Sequence, residues 1–216
     1  IRNDGPSTHI IAKKGTPTMG GIIILLSIII SVTLWTNPNS LIVWPVVFVM
    51  VSFGFIGFID DLNKIRKNSS NGISRRFRIV LQIIVVILFL YWIRNILNIS
   101  DTNLLSLPFF KDVFVNLGYF SILFITLVII GSANAVNLTD GLDGLAIVPI
   151  MIVALTFAII CYLAGNVIFS DYLYINYLPG AGELTVLCTA IIGAALGFLW
   201  YNAPPAMVFM GDTGSL

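Results

Sequence analysis

Leu145-Ala-Ile-Val-Pro-Ile-Met-Ile-Val-Ala-Leu-Thr-Phe-Ala-Ile-Ile-Cys-Tyr-Leu-Ala164 runs between Gly144 and Gly165 without a single charged side chain. About 20 mostly apolar residues in a helix cross the roughly 30 Å hydrocarbon core of a bilayer, and this stretch has that length and composition. Residues 20–36, 41–59, 77–93, 118–136 and 184–201 read the same way. None alternates apolar and polar side chains with the period of two that a membrane barrel requires. The expected fold is therefore all-α and integral to the membrane: a polytopic helical bundle of about six transmembrane helices. Its tightest connection, Asn37-Pro-Asn-Ser40, is a plain turn sequence.

The composition agrees. Hydrophobic residues make up 58% of the 216 and charged residues 10%, with a mean hydropathy of +1.00. A soluble domain carries about a quarter charged residues to wet its surface, so the solvent of this chain is largely lipid. Eleven basic against ten acidic residues exclude a nucleic-acid-binding polyelectrolyte. Cys161 and Cys188 both sit inside apolar runs and read as small hydrophobes. The residues ahead of the first span are polar and do not resemble a signal peptide. The expected organisation is one membrane-embedded domain over 1–216, truncated at both ends.

Six spans place their flanks on alternating sides. One side carries Arg2, Lys13, Lys14, Lys64, Arg66, Lys67, Arg75, Arg76 and Arg78, and the other only Arg94 and Lys111. The positive-inside bias makes the first side cytoplasmic. Asp101, Asp112, Asp171 and Glu183 fall on the outer side and read as solvated loop charges. Asp4, Asp60, Asp61, Asp140, Asp143 and Asp212 all fall on the cytoplasmic side. Five of these, drawn from three separate loops, lie close to the ends of spans.

Asp60 and Asp61 close the second span at the negative end of its helix dipole, where an acid is disfavoured by several tenths of a kcal/mol. Single interfacial acids are common. A pair at the wrong end of a helix points instead to a hard cation or a proton acceptor. In Asn134-Ala-Val-Asn-Leu-Thr-Asp-Gly-Leu-Asp-Gly144, a helical turn would put Asp140 and Asp143 on one face, with Asn137 one turn earlier. Asn202-Ala-Pro-Pro-Ala-Met-Val-Phe-Met-Gly-Asp-Thr-Gly-Ser215 stops the last span at its prolines. It then sets Asp212 among small residues suited to phosphate and a cation, with Phe209 as a flat face for a nucleobase. Lys13-Lys-Gly-Thr-Pro-Thr-Met-Gly-Gly21 adds Lys13, Lys14 and the hydroxyls of Thr16 and Thr18 as phosphate partners. His9, the one histidine, reads as a surface residue. Gly54-x-x-Gly57 and Gly193-x-x-x-Gly197 read as close helix packing. Carboxylates for Mg²⁺, cations for phosphate and an aromatic on one face suit phosphoryl transfer between a soluble nucleotide and a lipid phosphate.

Four motifs stand in a particular order: Asp4-Gly-Pro-x-x-His with Lys-x-Gly-Thr-Pro-Thr-Met-Gly-Gly21, Gly57-Phe-Ile-Asp-Asp61, the Asn134–Gly144 run and Phe209-Met-Gly-Asp-Thr-Gly-Ser215. Over essentially the whole chain they resemble the bacterial phospho-N-acetylmuramoyl-pentapeptide transferases, of the polyprenyl-phosphate N-acetylhexosamine-1-phosphate transferase superfamily. The resemblance implies Mg²⁺-dependent transfer from UDP-N-acetylmuramoyl-pentapeptide to undecaprenyl phosphate, giving lipid I and UMP for peptidoglycan synthesis. It implies a multi-pass protein of the bacterial inner membrane whose active site opens to the cytoplasm. Asp60, Asp61, Asp212 and Lys64 would be catalytic, with Asp212 the magnesium ligand and Asp60 taking the proton of the lipid phosphate. Lys13, Thr18, Asn137, Asp140, Asp143, Asn202 and Phe209 would bind the nucleotide. A homodimer is left open. A sibling transferase using UDP-N-acetylglucosamine stays as an alternative. So does an ion-coupled transporter, which would call for charged residues at mid-span; the chain has none there.

Overall fold

A computed structural model of the chain describes residues 16–67, 72–96, 103–106 and 113–216. Among the described residues seven α-helices carry the architecture: α1 (Gly21–Trp35), α2 (Val43–Lys67), α3 (Arg75–Ile96), α4 (Phe120–Thr139), α5 (Ile147–Ala164), α6 (Val167–Tyr172) and α7 (Leu184–Asn202). A last turn, α8 (Asp212–Ser215), follows the 203–211 loop. Among the described residues five helices are long and apolar enough to cross a membrane, namely α2, α3, α4, α5 and α7 with the 3₁₀ turn before it. The first expected span is an apolar helix of 15 residues, which at 1.5 Å per residue is shorter than the hydrocarbon core. The chain is thus a multi-pass, all-α membrane protein.

Two details depart from the sequence reading. The loop after α3 pairs Leu104–Ser106 (β1) with Phe114–Asn116 (β2) as an antiparallel ribbon, Leu105 facing Val115. Three-residue strands are too short to stand out in a sequence. The second helix does not end at Asp60 and Asp61 but continues to Lys67, so both acids lie inside it, 2% and 6% exposed. Its true last turn holds Lys64, Arg66 and Lys67, cations that suit the negative end of a helix dipole.

Apolar packing places α2 at the centre. Phe53 and Ile56 on one face of α2 meet Val86 and Leu90 of α3, with Ile129, Ile130 and Ala133 of α4 around them. On another face Val43 and Val47 meet Ile28 and Val32 of α1 and Leu187 of α7. Ala146 and Ile147 join Ala195 and Phe198 of α7 and Met210, which fastens the 203–211 loop to the bundle. Outward faces stay apolar and uncovered, as at Leu127, Ile152 and Leu155, the pattern of side chains meant for lipid. Of the small-residue pairs, Gly54 packs against Leu25 of α1 as expected. Gly57 instead admits the Asp212–Thr213 backbone, and a Cβ on Gly193 or Gly197 would point into space with no described neighbour within 4 Å.

Candidate active site

Three elements converge at one end of the bundle. α2 brings Asp60, Asp61 and Lys64, the end of α4 brings Asn137, and α8 brings Asp212. The approach depends on glycine twice. At Gly57 any Cβ would run into the Asp212 carbonyl, so the bare glycine is what lets α8 lie directly on α2 at this point. Gly211, at φ +75°, turns the chain in the left-handed region that favours glycine, and a Cβ on it would lie 2.7 Å from the Asp61 carboxylate.

Within this frame the two adjacent acids do different jobs. Asp61 is a clamp. Its Oδ1 accepts from the Asp212 backbone N–H at 3.2 Å, and its Oδ2 accepts from the Thr213 N–H and Oγ1–H at 2.9 and 2.8 Å. Asp60 accepts from the Ile73 N–H at 2.6 Å and pairs with Lys64 Nζ at 2.6 Å. The same ammonium lies 2.7 Å from Asp212 Oδ2, so Lys64 bridges the carboxylates of α2 and α8. Asp212 also receives Asn137 Nδ2 on Oδ1 at 3.1 Å and Arg78 Nη1 on Oδ2 at 3.5 Å. Burial, the largest single influence on the Asp212 carboxyl, pushes it up. Hydrogen bonds from Lys64 and Asn137, with the Lys64 charge, outweigh that and hold it below the usual carboxylate range.

Asp140 follows the end of α4 as its C-cap. Burial, then the charges of Asp212 and Asp61, push its carboxyl up to about 6. Asp143 does not share a helical face with it, because α4 has ended. Its Oδ2 accepts from the Ala206 N–H at 3.1 Å. Asn202, 2% exposed, accepts from the Gly144 N–H at 2.9 Å and donates to the Val208 carbonyl at 2.8 Å. Asp143 and Asn202 thus tie the 203–211 loop to the 140–146 turn. Phe209, half-buried, is held by its backbone to Pro17 and Gly20, at 2.9 Å each. Thr18 is exposed at the edge of this region, and Lys13 lies outside the described residues.

Sequence reasoning missed Arg78, which counted only towards orientation. Nothing in Arg75-Arg76-Phe77-Arg78 says which arginine turns inward. It also missed Ser215 as a partner of Asn137, at 2.8 Å.

One oxygen each of Asp60, Asp61 and Asp212 lie within 4.8 Å of one another, and an ammonium already sits between two of the carboxylates. Hard carboxylate oxygens gathered round a positive charge are a donor set that fits Mg²⁺, which takes one or two carboxylates and keeps its other ligands as water or phosphate.

The family described as "Glycosyl transferase family 4" matches residues 43–216. The "Phospho-N-acetylmuramoyl-pentapeptide-transferase signature 1" matches residues 13–25. Two curated relatives named phospho-N-acetylmuramoyl-pentapeptide-transferase, from Rhodopseudomonas palustris strains BisB18 and BisA53, are 52% and 51% identical over the whole chain. The chain spans 60% of the length of each of these relatives. The chain belongs to glycosyl transferase family 4, and the resemblance read from its four motifs is borne out.

Proposed function

We propose that this chain is the membrane-embedded core, residues 1–216, of an enzyme that transfers phospho-N-acetylmuramoyl-pentapeptide from its UDP derivative to undecaprenyl phosphate. The products are lipid I and UMP, and the site opens to the cytoplasmic side of the inner membrane. The observation that carries the reading is the convergence of Asp60, Lys64 and Asp212 at one end of a lipid-facing bundle. A polyprenyl phosphate and a soluble nucleotide can meet only at such an interface.

In the reaction a phosphate oxygen of the lipid forms a bond to the sugar-bearing phosphorus of the nucleotide. The bond from that phosphorus to the bridging oxygen breaks, and the electron pair leaves with UMP. Bound Mg²⁺, held by Asp212 with Asp60 beside it, would neutralise charge on the diphosphate. Asp60 takes the proton of the lipid phosphate. Lys64 and Arg78 draw the two polyanions together and offset their repulsion. Asp61 holds α8 in place, while Asp143 and Asn202 hold the loop that offers Phe209 to the uracil. Lys13, Thr18, Asn137 and Asp140 complete the nucleotide side. The test is turnover of the full-length protein in membranes supplied with both substrates. Asp212→Asn abolishes lipid I formation and is not rescued by excess Mg²⁺, whereas Asp171→Ala, at the opposite end, leaves the rate unchanged. A near-normal rate for the Asp212 variant would remove the metal role of that residue.

A further inference from the structure

Gln82 is the largest fully buried polar side chain in the described protein, 0% exposed on α3. It sits among the apolar side chains that pack α2, α3 and α4. Its Oε1 accepts from Asn134 Nδ2 of α4 at 2.9 Å, and Asn134 Nδ2 also donates to the Ile130 carbonyl at 2.8 Å. Gln82 Nε2 has no partner among the described residues. A buried donor left unmade is costly, and two apolar side chains of similar size would fill the same interface without that cost. The amide pair therefore needs a reason beyond packing.

The reason lies one turn towards the active site on the same two helices. Residues three or four apart share a helix face, so Arg78 lies below Gln82 on α3 and Asn137 below Asn134 on α4. These two reach the carboxylate of Asp212 from either side: Arg78 Nη1 lies 3.5 Å from Oδ2 and Asn137 Nδ2 lies 3.1 Å from Oδ1. A slip of one residue in either helix would turn its side chains by about 100°. It would break the amide pair and swing Arg78 or Asn137 off Asp212 together. Apolar contacts tolerate such a slip better than a directional hydrogen bond does, and a single buried polar pair fixing register is the best-attested use of such groups.

We infer that Gln82, through Asn134, is a positioning residue that sets the relative rotation of α3 and α4 so that Arg78 and Asn137 hold the Asp212 carboxylate in its working orientation. This rests on the site reading given above. The test uses the full-length protein in nanodiscs, as wild type, Gln82→Leu, Asn134→Leu and the double variant. Thermal midpoint, kcat, KM for the nucleotide substrate and Mn²⁺ affinity by electron paramagnetic resonance are measured. Each single variant lowers kcat about tenfold or more, the size expected of a sub-ångström misplacement, with little change in KM. Each also weakens Mn²⁺ binding. The double variant, with no polar group left unpaired, regains the wild-type thermal midpoint but neither kcat nor Mn²⁺ affinity. A double variant that regains all of them shows that the pair serves packing alone and overturns the inference. A wild type that neither turns over nor binds Mn²⁺ fails differently: it removes the reading of the site, and with it anything for Gln82 to position.

Discussion

Asp61 takes both the N–H and the hydroxyl of Thr213 on a single carboxylate oxygen, at 2.9 and 2.8 Å, across 152 residues of chain. With its other oxygen on the Asp212 N–H, Asp61 closes the last described turn onto α2. Asp60, the next residue back, keeps its carboxylate on Lys64 and a loop N–H. Two adjacent acids that look equivalent in the sequence thus separate into a clamp on α8 and a partner of Lys64.

The clamp predicts a stability effect distinct from catalysis. Asp61→Ala leaves three donors of α8 without their acceptor in a nearly closed site, at about 1–3 kcal/mol each and less than additively. Asp212→Ala also removes an acceptor, but its partners Lys64, Arg78 and Asn137 are part-buried side chains that water can reach. In detergent or nanodiscs, the thermal midpoint of Asp61→Ala falls clearly below that of Asp212→Ala, although both lose turnover. Equal midpoints would end the clamp reading.

For the nucleoside, Phe209→Ala removes a flat face from a loop whose backbone is fixed by other residues. Loss of one base-stacking contact costs about 1–3 kcal/mol, so UDP-substrate affinity falls by roughly tenfold or more while the thermal midpoint barely moves. Calorimetric titration with UMP measures this directly, and unchanged affinity would take the nucleobase away from Phe209.

Asp140 supplies a pH dependence whose sign can be worked out. Its folded carboxyl is raised to about 6 from an ordinary value of 3.8, so the fold holds its proton more tightly than the unfolded chain does. Ionisation then costs the folded state stability, progressively between those two values and fully above the higher one. In metal-free buffer, the advantage in thermal midpoint of Asp140→Asn over the parent protein grows between about pH 4 and about pH 7. An advantage that shrinks over that range contradicts the stated environment of Asp140.

Orientation can be checked without activity. Single cysteines in place of the exposed Arg76 and Val113 are treated in intact cells with a membrane-impermeant thiol reagent. The nine-to-two distribution of basic residues puts position 113 outside and position 76 inside, so only the former is labelled. The reverse pattern would turn the bundle over and move the site to the outer face.

What the sequence determined by itself follows from local quantities. A run such as 145–164 is long and apolar enough to span a bilayer whatever its neighbours do, and the basic residues gathered at the ends of other runs, Lys64 to Arg78 above all, bias the orientation of the whole bundle. Motif order was enough to name the family. The tertiary structure decided what required contact between distant residues. It made Asp61 a clamp, carried α2 past its acids to Lys67, spent Asp143 and Asn202 on bracing a loop, turned Arg78 inward and buried Gln82 against Asn134. These choices rest on bonds between residues as far apart as Asp61 and Thr213, 152 positions along the chain. Directional hydrogen bonds form only once apolar packing has set the helices side by side, so no local property of either residue announces them.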